Sequence, residues 1–205
     1  MKTIILAAIR CSLKASPKKL LPLTLFGVAV MSLFSVQPVQ AYSVTLEQVG
    51  SNVVATGSGA IDLTGLTFTN FFSGSLGPGI NPHWRSAQGF SFIFTGPSSS
   101  SMNFYFGATG PTSFGFGSIF WPASSGSGYM VGIGTSIFGN ALSVPRGYVS
   151  GTALSGMATY TGKNFATLGV RPGTYVWTWG IGRNQNFTLQ ILPGNPTPTP
   201  TPAEW

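Results

Sequence analysis

Few side chains in this sequence have the chemistry that catalysis needs. The acids are Glu47, Asp62 and Glu204, and the one histidine is His83. A glycosidase requires two carboxylates across the scissile bond, and Glu47 with Asp62 is the one pair within the body of the chain. Glu47 falls on the polar side of an alternating stretch, and Asp62 follows a Gly-rich stretch. We therefore interpret them as a solvated strand residue and a turn residue, and a secreted hydrolase is the least favoured function.

His83 also lacks the neighbours of a catalytic or metal-binding histidine. No Gly-x-Ser-x-Gly elbow surrounds a serine, and zinc sites use three or four ligands. We expect no catalytic residue, no metal and no cofactor. In "NPHWR" the flat ring of Trp84 lies beside His83 and Arg85, within a turn-rich segment, 71–88, that predicts a long surface loop. These three residues are candidate carbohydrate contacts, although we favour the alternative that Trp84 folds back over the end of the domain.

A second aromatic group occurs in "GTYVWTWG". Tyr175, Trp177 and Trp179 are spaced two residues apart and so share one face of a strand. Three flat rings in a row could form a platform on which sugars stack. The favoured interpretation is that this face lines the core, with Val176 and Thr178 outward, because aromatic side chains bury more apolar area than a lone valine.

The pattern after position 41 predicts an all-β fold. Apolar and polar residues alternate in "SVTLEQV", "GFSFIFTG" and "FTLQI", and clusters of Gly, Pro, Asn and Ser separate such runs. This favours one antiparallel β-sandwich, jelly-roll-like, over residues 42–192. The predicted strands are 43–49, 52–60, 65–70, 89–95, 102–107, 113–120, 129–134, 147–153, 157–160, 166–168, 173–180 and 186–192.

The segment 1–41 has the three parts of a secretory signal peptide. Basic residues without acids occupy 1–19, an uncharged apolar run fills 20–36, and Ala41 ends a small-residue cleavage site. We expect the signal peptidase of the general secretion machinery to cut between Ala41 and Tyr42, giving a secreted, extracellular or cell-surface product. A retained membrane anchor is the alternative, but the run is short for a span of about 20 residues. The single cysteine, Cys11, lies in this segment, so the mature chain has no disulfide.

The charge distribution argues against nucleic acid as a partner. The whole chain carries a net charge of +7, but half of its ten basic residues precede position 41. The other five basic residues and the three acids give the rest of the chain a net charge of +2. These five basic residues are scattered over about a hundred positions. Nucleic-acid binding depends on clustered cations that displace counterions from phosphates.

Two long stretches, residues 43–68 and 144–191, contain the segments "VTLEQVGSNVVATGSGAIDLTGL", "GYVSGTALSGMATYTG" and "PGTYVWTWG…FTLQI". In these segments the chain resembles exported bacterial proteins that carry a PEP-CTERM sorting domain. The resemblance implies export and an association with exopolysaccharide and biofilm matrix, with no assigned activity for the domain. It also implies a C-terminal Pro-Glu-Pro motif, a transmembrane helix and a basic tail that an exosortase processes.

The tail 193–205, "PGNPTPTPTPAEW", departs from that family pattern. It contains no Pro-Glu-Pro motif, apolar run or arginine cluster, so an exosortase is a doubtful partner. We expect a disordered, extended Pro/Thr-rich linker on a product that is either truncated relative to the family or released without anchoring. The expected function is that of a non-catalytic cell-surface or matrix protein, and a carbohydrate-binding module is the alternative.

Overall fold

The computed structural model describes residues 40–69, 77–83, 90–97 and 101–194. The signal segment up to residue 39, the pair Trp84 and Arg85, and the tail from residue 195 lie outside the described residues. The strands in the first half of the described chain are β1 (Tyr42–Val49), β2 (Asn52–Ala60), β3 (Thr67–Thr69), β4 (Gly79–Asn81), β5 (Ser91–Thr95) and β6 (Met102–Ala108). Those in the second half are β7 (Trp121–Pro122), β8 (Ser125–Gly128), β9 (Val131–Ser136), β10 (Gly139–Pro145), β11 (Ala153–Tyr160), β12 (Gly173–Thr178) and β13 (Asn186–Ile191).

These strands form two sheets in a sandwich-like arrangement, which confirms the predicted all-β fold. The first sheet has the strand order β12-β13-β1-β2-β11-β8, and the second has the order β3-β6-β10-β9-β5-β4-β7. The neighbouring strands described in both sheets pair antiparallel, except that β1 pairs parallel with β13.

The period-two pattern places the core between the sheets. Val44 and Leu46 of β1 are fully buried, while Thr45 between them is half-buried. From the second sheet, Ile93 and Ile133 are buried in the same cluster. Burying a side chain of this kind stabilises a fold by about 1.5–3 kcal/mol, so the core can hold the sandwich together without a disulfide.

The backbones of the two sheets also touch where β5 ends. The Gly96 amide, just after β5, donates a hydrogen bond to the Met157 carbonyl of β11 over 3.1 Å. Gly126 of β8 lies against this contact, and a Cβ there would overlap the carbonyl oxygens of Gly96 and Met157. A side chain at position 126 would therefore push the sheets apart.

Several predicted strands are absent or displaced. Residues 166–168 belong to a one-turn helix, α1 (Phe165–Leu168), because the Asn164 side chain caps its first turn and Gly169 ends it with φ 70°. Residues 113–120 make only isolated bridges, and 147–152 form turns before β11. Within the described ranges, no helix is long and apolar enough to cross a membrane.

Four strands were missed by the sequence prediction. β4, β7, β8 and β10 are rich in Gly, Pro, Ser and Asn, which are turn residues in most contexts. Each is held by hydrogen bonds to a neighbouring strand, so tertiary pairing overrides local preference.

Candidate functional site

The two acids that a glycosidase would need lie at opposite ends of the first sheet. Glu47 in β1 pairs with Val54 of β2. Asp62 lies past the end of β2, which runs on from Val54 to Ala60. At about 3.3 Å per residue, these six steps alone separate the two acids by ~20 Å. Glycosidase carboxylates are about 5–9.5 Å apart, so this pair cannot act on one glycosidic bond.

Asp62 is instead the centre of a structural hydrogen-bond network. Its carboxylate accepts bonds from the Thr64 amide over 2.9 Å, the Ser150 hydroxyl over 3.2 Å and the Gln185 side-chain amide over 3.2 Å. The bond from the Thr64 backbone is the main cause that lowers the pKa of Asp62 below its usual value. The carboxylate therefore stays ionised at neutral pH, and it ties together three surface loops.

His83 lies just after β4 and is half-buried. Its backbone forms an isolated bridge with Ser113, and the adjacent Pro82 carbonyl accepts a bond from the Phe114 amide over 2.9 Å. Among the described residues, no group of three or more His, Cys, Asp and Glu side chains could hold a metal ion. The neighbouring candidates Trp84 and Arg85 lie outside the described residues.

Trp177 of β12 and Trp179, just after it, face inward, so these two tryptophans do not form an exposed sugar-stacking platform. Trp177 is 2% exposed and Trp179 is 9% exposed. Their indole N–H groups donate to the backbone carbonyls of Pro111, over 2.9 Å, and Asp62, over 2.7 Å. Tyr175 is half-buried, and its hydroxyl donates to a backbone carbonyl as well. Large rings are buried here because their N–H groups find partners inside.

A concave apolar surface lies on the outer face of the second sheet, on the side away from the core. The pairing of β6, β10, β9 and β5 aligns two rows of outward residues across these four strands. The first row is Phe106, Ala141, Gly134 and Phe92, and the second is Phe104, Ser143, Gly132 and Phe94. We call this surface the phenylalanine groove.

Small residues form the floor of the phenylalanine groove, and phenyl rings form its walls. The walls stand on β6 and β5, three strand spacings or about 14 Å apart. On the β5 wall, the Phe92 ring centroid lies 5.0 Å from that of Phe94 and 5.5 Å from that of Phe120. Between the walls is an open cavity of about 340 Å³.

The alternation of phenylalanines in the sequence indicates one wall of the phenylalanine groove. In "FSFIF", Phe90, Phe92 and Phe94 are spaced two residues apart, and all three line the groove. Ile93 takes the opposite, core-facing side. A strand that is apolar on both faces indicates a second apolar surface, but the sequence alone does not show which strand supplies the opposite wall.

Comparisons of the chain with protein-family models, with curated proteins and with solved structures found no match.

Proposed function

We propose that this chain is an exported cell-surface or extracellular-matrix protein without catalytic activity. The observation that carries the proposal is the position at which β1 begins. Tyr42, the residue after the expected cleavage site, is the first residue of β1 and is fully buried. Cleavage between Ala41 and Tyr42 would therefore leave β1 complete. It would also remove the Gln40 carbonyl, which accepts a hydrogen bond from the Ala60 amide over 2.8 Å, and the isolated bridge of Ala41 with Ala60.

The resemblance to exported PEP-CTERM proteins supports the same proposal. The resembling stretches, 43–68 and 144–191, contain five of the six strands of the first sheet, namely β1, β2, β11, β12 and β13. The partner that this family implies is an exopolysaccharide.

The roles of the ionisable side chains support a non-catalytic function. General acids and bases act with pKa values near the working pH, whereas hydrogen bonds lower the pKa of Asp62 further from neutrality. Burial raises the pKa of Tyr42 to about 12 and also raises that of Tyr148. These groups keep one protonation state at neutral pH, as expected of structural residues.

The proposal is tested by expressing the full chain in a bacterium and sequencing the N-terminus of the exported product. The expected first residue is Tyr42. Ala41→Leu places a bulky side chain where signal peptidase requires a small one, so it should block cleavage at this position. Ser43→Ala, on the other side of the cut, should leave cleavage unchanged. A wild-type product that keeps Met1, or that begins inside β1, would contradict the proposal.

A further inference from the structure

The floor of the phenylalanine groove contains a polar group with an unmet hydrogen-bonding capacity. Ser143 of β10 lines the cavity and is 1% exposed. Its hydroxyl has no hydrogen-bond partner among the described residues. A buried hydroxyl without a partner destabilises a protein by about 1–3 kcal/mol relative to a paired one. In native structures such groups are rare and call for an explanation, for example local strain, a catalytic role, or pairing with a water or ion.

The lining of the cavity restricts the charge of any occupant. Among the described residues that line it there are phenylalanines, glycines, serines, one threonine and one alanine, and none carries a charge. An ion would lose its hydration there without gaining a counter-charge, which is strongly unfavourable. The occupant is therefore uncharged, and most of its surface is apolar.

The size and shape of the cavity restrict the occupant further. A volume of about 340 Å³ lies at the lower end of the range of about 300–1,000 Å³ that small-molecule pockets span. Phenyl walls stack best on flat or slender apolar groups. The floor is low because Gly134 has no side chain and Ala141 has a single methyl, and the registers place both between Phe92 and Phe106.

We propose that the phenylalanine groove binds an uncharged small amphiphile, with an apolar body between the phenyl walls and one hydroxyl or carbonyl group paired with Ser143. The walls supply most of the binding energy through apolar burial. Ser143 supplies selectivity, because its hydroxyl can both donate and accept. This proposal does not depend on whether the chain is exported.

Three probes with the same ring system test the proposal on the purified chain by equilibrium dialysis. Naphthalene has the apolar body alone, naphthol adds one hydroxyl, and naphthalenesulfonate adds a charge. Naphthol should bind saturably and about fivefold more tightly than naphthalene, the ratio that corresponds to a net hydrogen bond of about 1 kcal/mol. Naphthalenesulfonate should bind at least tenfold more weakly than naphthol, because the described residues that line the cavity offer no counter-charge.

Two variants separate the contribution of apolar contacts in the cavity from that of the Ser143 hydroxyl. Ser143→Ala should abolish the fivefold preference for naphthol while leaving naphthalene binding within twofold. Ala141→Leu fills the floor of the cavity and should weaken both neutral probes at least tenfold. Ala153→Leu makes the same change at an exposed position of β11, in the other sheet, and should leave binding unchanged. Thermal unfolding of each variant checks that it is folded.

The proposal is overturned if neither neutral probe binds saturably to the wild-type chain. It is also overturned if the naphthol preference persists in Ser143→Ala, or if folded Ala141→Leu binds as tightly as Ala153→Leu. If Ala141→Leu does not fold, the ratio of naphthol affinity to naphthalene affinity in Ser143→Ala decides alone, because that substitution removes one oxygen and adds no volume.

Discussion

Two tyrosines should respond in opposite directions to loss of the hydroxyl group. Tyr160 is 1% exposed, and its hydroxyl has no hydrogen-bond partner among the described residues. Burial raises its pKa above the usual range. Tyr148 is half-buried, and its hydroxyl accepts from the Ile61 amide over 3.0 Å and lies 2.8 Å from the Thr152 carbonyl and 3.0 Å from the Ile61 carbonyl. Among the described residues, the Tyr160 hydroxyl therefore has no hydrogen-bond partner, whereas the Tyr148 hydroxyl has several.

The magnitudes follow from these contacts. Tyr160→Phe keeps the ring and removes an unpaired buried hydroxyl, whose burial costs about 1–3 kcal/mol. Allowing for the small void that remains, we expect the free energy of unfolding to rise by about 1 kcal/mol. Tyr148→Phe removes a hydroxyl that joins the exit of β2 to the loop before β11, and we expect a loss of about 1–3 kcal/mol.

Urea unfolding at pH 7, followed by tryptophan fluorescence, measures both variants against the wild-type chain. Thermal unfolding should agree, with a shift of about 2–4 °C per kcal/mol for a chain of this size. The reasoning is refuted if Tyr160→Phe lowers stability by 1 kcal/mol or more, since that hydroxyl would then have a favourable partner. It is also refuted if Tyr148→Phe is neutral.

Three further predictions concern pH, backbone contact and aromatic burial. Because burial raises the pKa of Tyr42 from 10.0 to about 12 in the folded chain, its contribution to stability is complete below pH 10 and is lost as the pH rises through 12. Urea midpoints should therefore correspond to a loss of about 2–3 kcal/mol by pH 12, and a flat profile up to that pH would exclude this effect. Gly126→Ala should destabilise the fold by about 1–3 kcal/mol through overlap with backbone carbonyls, whereas Ser127→Ala at the next, exposed position should change it by less than about 0.5 kcal/mol. Trp177→Phe leaves a void and removes the indole hydrogen bond to the Pro111 carbonyl, and should cost about 2–4 kcal/mol; the same change at half-buried Trp121 should cost clearly less, and equal costs would contradict the assigned burial.

The local sequence was sufficient to predict the fold class and the core-facing side of several strands. Successive strand side chains point to opposite faces, so alternation over a few residues already separates the inward Val44 and Leu46 from Thr45. The same short-range information accounts for the inward face of β13, where Phe187, Leu189 and Ile191 are buried. Periodicity is a local property, so it can be recognised in the sequence before it is known which strands become neighbours.

Local information failed where a long-range pairing partner decides the structure. β10 contains Gly139, Asn140 and Pro145, which locally favour turns, yet it is an interior strand between β6 and β9. The reverse occurs at Phe165–Leu168, where a strand was predicted but a side-chain cap from Asn164 starts a helical turn. In both places the contacts that decide the structure outweigh the small differences in intrinsic propensity.

The arrangement of functional candidates was decided by tertiary structure alone. Composition identified Glu47 and Asp62 as the available acids, but the register of β1 on β2 places them at opposite ends of the sheet. The sequence likewise shows a phenylalanine at 92 and another at 106, whereas their place on facing walls depends on three successive strand pairings. A shift of one residue in any of these registers would turn a wall or a floor residue toward the core. The sequence by itself was enough to predict a β-sandwich. Only the pairing of distant strands decided that the outward phenylalanines of β5 and β6 form the two walls of a groove.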